Sequence, residues 1–297
     1  MYTTLISAEQ LQSLMASGQP CMVFDCSFNL TDPQAGVAMY AEAHIPGAVY
    51  AHLDQHLSAA KDPVTGKVAP GTSASGGRHP LPTREAFAAW LGSVGFTNGM
   101  QAVVYDRQGA NYCGRLWWML KWAGHDNVAV LDGGLQAWAA AGGAVTSGPQ
   151  PKTSSSNYAL ALGLIGLATI ETVANRVGRG TGALAQTLID ARGAPRYRGE
   201  VEPLDPVAGH IPGALNRPFT ENIAADGRFK PATQLRAEFD ALLGGRDPAT
   251  VVHHCGSGVS AVPNIIAMEI AGLHGSALFA GSWSEWCSNP DLPVAQG

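Results

Sequence analysis

Residues 103–138, VVYDRQGANYCGRLWWMLKWAGHDNVAVLDGGLQAW, align without a gap to residues 251–286, VVHHCGSGVSAVPNIIAMEIAGLHGSALFAGSWSEW. The constant offset of 148 pairs Val103 with Val251, Gly124 with Gly272, Gly133 with Gly281 and Trp138 with Trp286. Upstream, AHIPGAVY (43–50) returns as GHIPGALN (209–216). Each follows a short apolar run that ends in an acid, MVFDCS with Asp25 and TLIDAR with Asp190. Order, spacing and punctuation shared over this length imply two copies of one domain. A chain of 297 residues lets each copy bury its own core. The expected division is a first domain over 1–145, a linker over 146–160, and a second domain over 161–297. The linker falls in GGAVTSGPQPKTSSSNYAL (142–160), rich in Gly, Ser, Thr and Pro and poor in core residues.

Within each copy, short β-rich runs alternate with helical patterns. TLID, TVVHH and SALFAG read as buried strands, and TREAFAAWLGSVG, LWWMLKWAG and PATQLRAEFDALLGG read as helices. This alternation predicts an α/β fold, two tandem domains each built on a mostly parallel sheet flanked by helices. Ligands of such sheets collect at the carboxyl ends of the strands. Cys255 stands at one of those ends, in VVHHCGSGVS.

Composition removes several functions. Eighteen basic against 23 acidic residues give a formal charge of −5 with no basic run, which argues against nucleic acid or an anionic membrane as partner. No stretch reaches the ~18 apolar residues that a membrane-spanning helix needs. The opening MYTTLISAEQLQ lacks the pattern of a secretory leader and reads as a helix capped by Ser7, with Gln10 completing a capping box. Five cysteines (21, 26, 113, 255 and 287) form no CxxC pair, so reduced thiols and a cytoplasmic location are expected.

The sequence after Cys255 carries the chemistry. Gly256 and Gly258 allow positive φ and leave the loop interior open, so that backbone N–H groups can converge ahead of the next helix. Such a nest favours a thiolate, or a sulfur species bonded to it. Pro263 belongs in the first helical turn, where its missing donor costs little. Cys113 and Cys287 lack such a turn and are expected to be inert. A cysteine phosphatase would need an arginine six positions after the nucleophile, and that residue is Ala261. His253 and His254 beside the thiol suggest zinc, but neighbouring strand residues face opposite ways and cannot share one metal with Cys255, so no metal is expected.

The copies also differ. Copy one runs from 44 to 103 between HIPGA and its VV strand, copy two from 210 to 251, leaving copy one about 18 residues longer. The excess includes KDPVTGKVAPGTSASGGRHP, which closes on His79 and Pro80. The position equivalent to Cys255 is Arg107, so the chemistry belongs to copy two.

With HIPGA twice, LDGGLQAW, AGSWSEW and above all CGSGVS, the chain resembles the rhodanese superfamily in its two-domain sulfurtransferase form, and its loop resembles that of 3-mercaptopyruvate sulfurtransferases. The resemblance covers nearly the whole chain. It implies a silent first copy, an active second copy, a site where the two meet, and no cofactor. It implies that Cys255 takes a sulfane sulfur from a small-molecule donor as a persulfide and passes it to a thioredoxin-like thiol or to cyanide. The family's proposed relay falls on Asp54, His79 and Ser257, and its carboxylate-binding arginine on Arg196. Gly256, Gly258, Val259 and Ser260 complete the expected donor site. The family commonly has a second arginine after an EP pair, where this chain has Leu204; Arg192 and Arg198 stand nearby. A loop without cations suits 3-mercaptopyruvate better than the dianion thiosulfate, which stays as the alternative donor. A persulfide carrier for a protein partner is the alternative outside enzymes. The family's two-domain members imply a monomer.

Overall fold

The computed structural model describes residues 1–149, 153–177 and 186–297. Residues 150–152 of the expected linker lie outside the described residues. The chain divides into two units. The first comprises Met1–Ala74, Leu81–Leu164 and Ala225–Phe229, and the second Ser75–Pro80, Ile165–Ala224 and Lys230–Gly297. Part of the Ser-rich stretch packs onto the first unit: the Ser156 N–H donates to Gly92 O at 2.8 Å, and buried Tyr158 stacks on Phe96.

Each unit is built on a five-stranded parallel sheet. The first contains β1 (Leu5–Ile6), β2 (Cys21–Asp25), β3 (Val49–Tyr50), β4 (Gln101–Tyr105) and β5 (Val128–Leu131), ordered β1-β5-β4-β2-β3. The second contains β6 (Gly166–Ala168), β7 (Thr187–Asp190), β8 (Leu215–Asn216), β9 (Val251–His254) and β10 (Ala277–Phe279), ordered β6-β10-β9-β7-β8. The two orders are one permutation, as the repeat requires. The central strands β4 and β9 are buried along their whole length, on both faces, so neither shows the alternation of a half-exposed strand even where Gln101, His253 and His254 enter it.

Helix boundaries follow local chemistry. Ser7 and Gln10 form the expected capping box on Ala8–Ala16, Thr83 caps Arg84–Ser93, and Pro263 sits in the first turn of Val262–Ile270. Trp117 and Trp118 are buried in the helix Cys113–Trp122, in the core.

The HIPGA motif has the same structural role in both units. His44 stacks on Tyr40 at 3.9 Å with its Nδ1 2.7 Å from Tyr40 O, while Tyr40 OH donates to Ala48 O. His210 stacks on Tyr197 at 3.8 Å with its Nδ1 2.8 Å from Tyr197 O, and Tyr197 OH donates to Ala214 O. The motif ties a helix to the following edge strand and leaves the chemistry to other residues.

Candidate active site

β9 ends on His254 and delivers Cys255, 2% exposed, to the carboxyl edge of the second sheet. The two histidines before it serve the core. Buried His253 reaches Met268 Sδ with Nε2 at 3.1 Å, and burial pushes it down to about 3, so it is neutral. Burial also lowers His254, against the opposing pull of Asp190, 4.0 Å from its Nδ1. No cluster of potential metal ligands occurs among the described residues.

The cysteine is fixed by the helix Ser282–Trp286. Its N–H donates to Ser282 Oγ at 3.1 Å, its carbonyl accepts from Trp283 N–H at 3.0 Å, and the Gly256 carbonyl accepts from Ser284 N–H at 2.9 Å. Ser282 adopts φ +56, a conformation costly for a non-glycine residue and taken in the first unit by Gly134 at φ +59. The serine hydroxyl that receives the Cys255 N–H gives this strained position a reason to be other than glycine. The sequence offers no sign of it.

The two loop glycines have different causes. Gly258 has φ +73, as expected, and a Cβ there would run into Ala280 O. Gly256 does not have positive φ, contrary to the expectation. What it provides is room: a Cβ would meet Arg78 Nη2 at 3.0 Å and both η nitrogens of Arg196 at 3.6 Å. Val259 is buried and accepts from Val262 N–H at 3.1 Å, and Ser260 is half-buried.

Ser257 and His79, 178 residues apart in sequence, share a hydrogen bond of 2.7 Å between Oγ and Nδ1. Both are buried, and residues 75–80 belong to the second unit. That segment is held on the same helix that holds Cys255. The Gly76 N–H donates to Glu285 Oε1 at 3.2 Å and the Arg78 N–H to Ser284 Oγ at 2.9 Å. Asp54 belongs to the first unit, in a turn where its N–H donates to His52 Nδ1 and burial raises its carboxyl.

Four arginines of the second unit divide into separate tasks. Arg192 pairs with Asp190 at 2.6 Å and Glu202 at 3.2 Å, donates to Gly209 O and lies over the Trp283 ring at 4.8 Å. Burial works against its charge, but Asp190, Glu202 and Cys255 outweigh it. Arg196 is held by Glu202 at 2.6 Å and Asp205 at 3.3 Å. Arg198 turns to solvent with Glu200. Arg78, absent from the sequence-based expectation, pairs with Asp205 at 2.5 Å and borders Gly256. Its only signal in the sequence was its place beside His79.

The first unit shows what the same loop does without a cysteine. Asp106, equivalent to His254, accepts four backbone N–H groups: Gln108 and Ala110 on Oδ1 at 2.8 and 3.1 Å, Tyr112 and Cys113 on Oδ2 at 2.8 and 2.9 Å. A carboxylate with donors on both oxygens fills the nest. Burial raises this carboxyl, and the four amides counter it. Cys113 was expected to lack an anion-binding turn; its N–H instead belongs to one, already occupied, and burial pushes its thiol well up. Arg107 turns back to Asp25 and Ser27 and to the Met39 and Ala43 carbonyls.

A parallel α/β unit that places a buried cysteine in a glycine loop ahead of a helix, with guanidinium groups bordering that loop, defines a protein built to hold an anion or a charged sulfur beside a thiol. The family described as Rhodanese-like domain matches residues 7–141 and 169–289, and the chain belongs to it. It is 44% identical over 297 residues to a probable 3-mercaptopyruvate sulfurtransferase of Pseudomonas aeruginosa, covering 99% of this chain and 98% of the relative. It is 38% identical over 296 residues to SseB of Mycobacterium tuberculosis, a putative thiosulfate sulfurtransferase, covering 99% and 97%. Its structure resembles that of SseA from Escherichia coli, described as a 3-mercaptopyruvate sulfotransferase, with a TM-score of 0.76 at 27% identity over 95% of this chain and 100% of that one.

Proposed function

We propose that this protein is a sulfurtransferase that takes the sulfur of 3-mercaptopyruvate onto Cys255 and passes it to a thiol or to cyanide. The observation that carries this reading is the 2.7 Å Ser257–His79 pair beside a buried loop cysteine whose Gly256 is bordered by Arg196. The names of its relatives support it.

In the first step the Cys255 thiolate attacks the donor's thiol sulfur. An S–S bond forms, the C–S bond breaks, and its electron pair moves onto carbon as the enolate of pyruvate. Ser257, polarised by His79, relays the proton that this carbon takes up, with Asp54 as the outer member of the relay. Arg196 binds the donor carboxylate. The backbone of Gly256, Gly258, Val259 and Ser260 holds the negative charge that passes through the loop. In the second step the acceptor attacks the outer sulfur of the persulfide, releasing thiocyanate or a new persulfide and returning the thiolate.

Thiosulfate is the second donor to consider, favoured by the SseB relationship and by guanidinium groups near a loop that has none of its own. The domain division at 146–160, the cytoplasmic location and the monomeric state are part of the same proposal. The repeat supports the domain division, and the five free cysteines support the location.

Steady-state kinetics with each donor, on wild type, Cys255→Ser and Ser257→Ala, test the reading. Cys255→Ser should gain no sulfur by mass spectrometry after donor treatment. Ser257→Ala should lose more turnover with mercaptopyruvate than with thiosulfate, because only mercaptopyruvate needs a proton on carbon. Sulfur found on the Cys255→Ser protein, or equal losses with both donors, would refute the assignment.

A further inference from the structure

The cysteine loop and its counterpart in the first unit each pack on a short helix, and the two helices differ at one pair of positions. In the helix Gly134–Ala140 these are Gln136, whose amide donates to Arg107 O at 3.1 Å, and Ala137, which has no polar side chain. In the helix Ser282–Trp286 they are Ser284 and Glu285. The Ser284 hydroxyl donates to Gly281 O at 3.2 Å, which fixes its proton and leaves Oγ to accept from the Arg78 N–H at 2.9 Å. The Glu285 carboxylate accepts from the Gly76 N–H at 3.2 Å. The chain between lies flat on the helix. A Cβ on Gly76 would run into the Glu285 carboxylate, and one on Gly77, at φ +86, into Gly281 O and Ser284 Oγ. The two glycines of GGRHP thus let residues 76–78 approach this closely. Ser284 also donates its own N–H to Gly256 O at 2.9 Å. One residue therefore holds the backbone of the cysteine loop on one side and that of the residue before His79 on the other.

We infer that Ser284 and Glu285 are positioning residues for the reaction: by fixing residues 76–78 on the helix, they hold His79 Nδ1 within hydrogen-bond reach of Ser257 Oγ. The inference rests on the relay reading above. A 2.7 Å bond between side chains 178 residues apart needs both ends fixed to one frame, and this helix is that frame. Ser257 stands two residues after the Cys255 carbonyl, which accepts from the Trp283 N–H, and His79 one residue after the Arg78 N–H, which Ser284 accepts. Proton transfer requires hydrogen-bond contact, and a misplacement of about 1 Å can cost about 100-fold in rate.

The test measures kcat and KM with 3-mercaptopyruvate and with thiosulfate for wild type, Ser284→Ala, Glu285→Ala, Glu285→Gln, Ser257→Ala and the double variant Ser257→Ala/Ser284→Ala. Ser284→Ala and Glu285→Ala each lower kcat for mercaptopyruvate about 10-fold with KM unchanged within about twofold, against a loss of less than about threefold with thiosulfate, which needs no proton on carbon. Glu285→Gln keeps an oxygen for the Gly76 N–H and stays within about twofold of wild type. In the Ser257→Ala background, Ser284→Ala costs less than about twofold more, because no relay is left to misplace. Both donors are compared on the same sample, so an unfolded fraction cancels from their ratio. Equal losses with the two donors in Ser284→Ala and Glu285→Ala, or full additivity with Ser257→Ala, overturn the positioning role while a donor-selective Ser257→Ala leaves the relay standing. A Ser257→Ala protein slowed equally with both donors, or a wild type that does not turn over mercaptopyruvate, overturns the relay and the positioning role with it.

Discussion

Substituting Gly258 by alanine separates backbone strain from crowding in the active-site loop. Gly258 has φ +73, and a methyl group there would collide with the Ala280 carbonyl. The equivalent residue of the first unit is Ala110 at φ +62, so an alanine can hold this backbone conformation in a sister loop. Strain alone therefore costs about 1–2 kcal/mol. The collision is with backbone at the end of β10, which cannot swing aside, and overpacking of this kind adds about 1–3 kcal/mol. The sum, about 2–5 kcal/mol, is a large part of a typical domain's stability. It should lower the melting temperature of the second unit by roughly 6–15 °C. Scanning calorimetry of the full chain measures it, with Gly256→Ala as the comparison. At Gly256 the added methyl meets the end of the Arg78 side chain rather than backbone and no positive φ is required, so that variant should lose less than about 1 kcal/mol. Its damage should appear instead as a raised KM for the donor. A Gly258→Ala protein as stable as Gly256→Ala would refute the argument.

Removing the carboxylate from the first unit's loop by Asp106→Ala leaves four N–H groups, two of them buried and two half-buried, without their acceptor and should cost about 2–4 kcal/mol by urea unfolding; Asp106→Asn should fall between that and wild type, and a loss below about 1 kcal/mol would mean that the carboxylate is dispensable. Glu238, held by Arg217, Lys230 and Gln234 against the effect of burial, is lowered to about 2. Because its folded form ionises at lower pH than its unfolded form, its contribution is complete above about pH 5 and vanishes as the pH falls toward 2. After discounting for solvent screening of a partly exposed group, Glu238→Gln should be about 1 kcal/mol less stable than wild type at pH 7 and should match it near pH 2; a gap that is constant with pH would disprove the linkage.

The repeat made most of the fold legible, because an ungapped offset over a strand, a loop and a helix forces both copies to the same strand order. Cys255 was legible because glycines follow it at a strand end. The Ser257–His79 contact was not: nothing local to GGRHP marks where that segment docks, and only the family resemblance linked the two. Arg78 was missed for the same reason, since its meaning comes from Asp205 and Gly256, both more than a hundred residues away. Gly256 was expected to need positive φ and instead leaves space for Arg78 and Arg196, because sequence shows a glycine but not whether it serves φ or space. Nothing in the sequence marks Asp106 as the acceptor of four loop amides, which only the folded loop shows.

That occupied loop makes the first unit hard to reawaken. Exchanging Arg107 for cysteine would set a new sulfhydryl beside a carboxylate that already holds the converging amides, and like charges would discourage its ionisation. Regaining chemistry there would take two coordinated substitutions, neither useful alone, so the duplicated half can drift in sequence with little chance of acquiring a competing nucleophile.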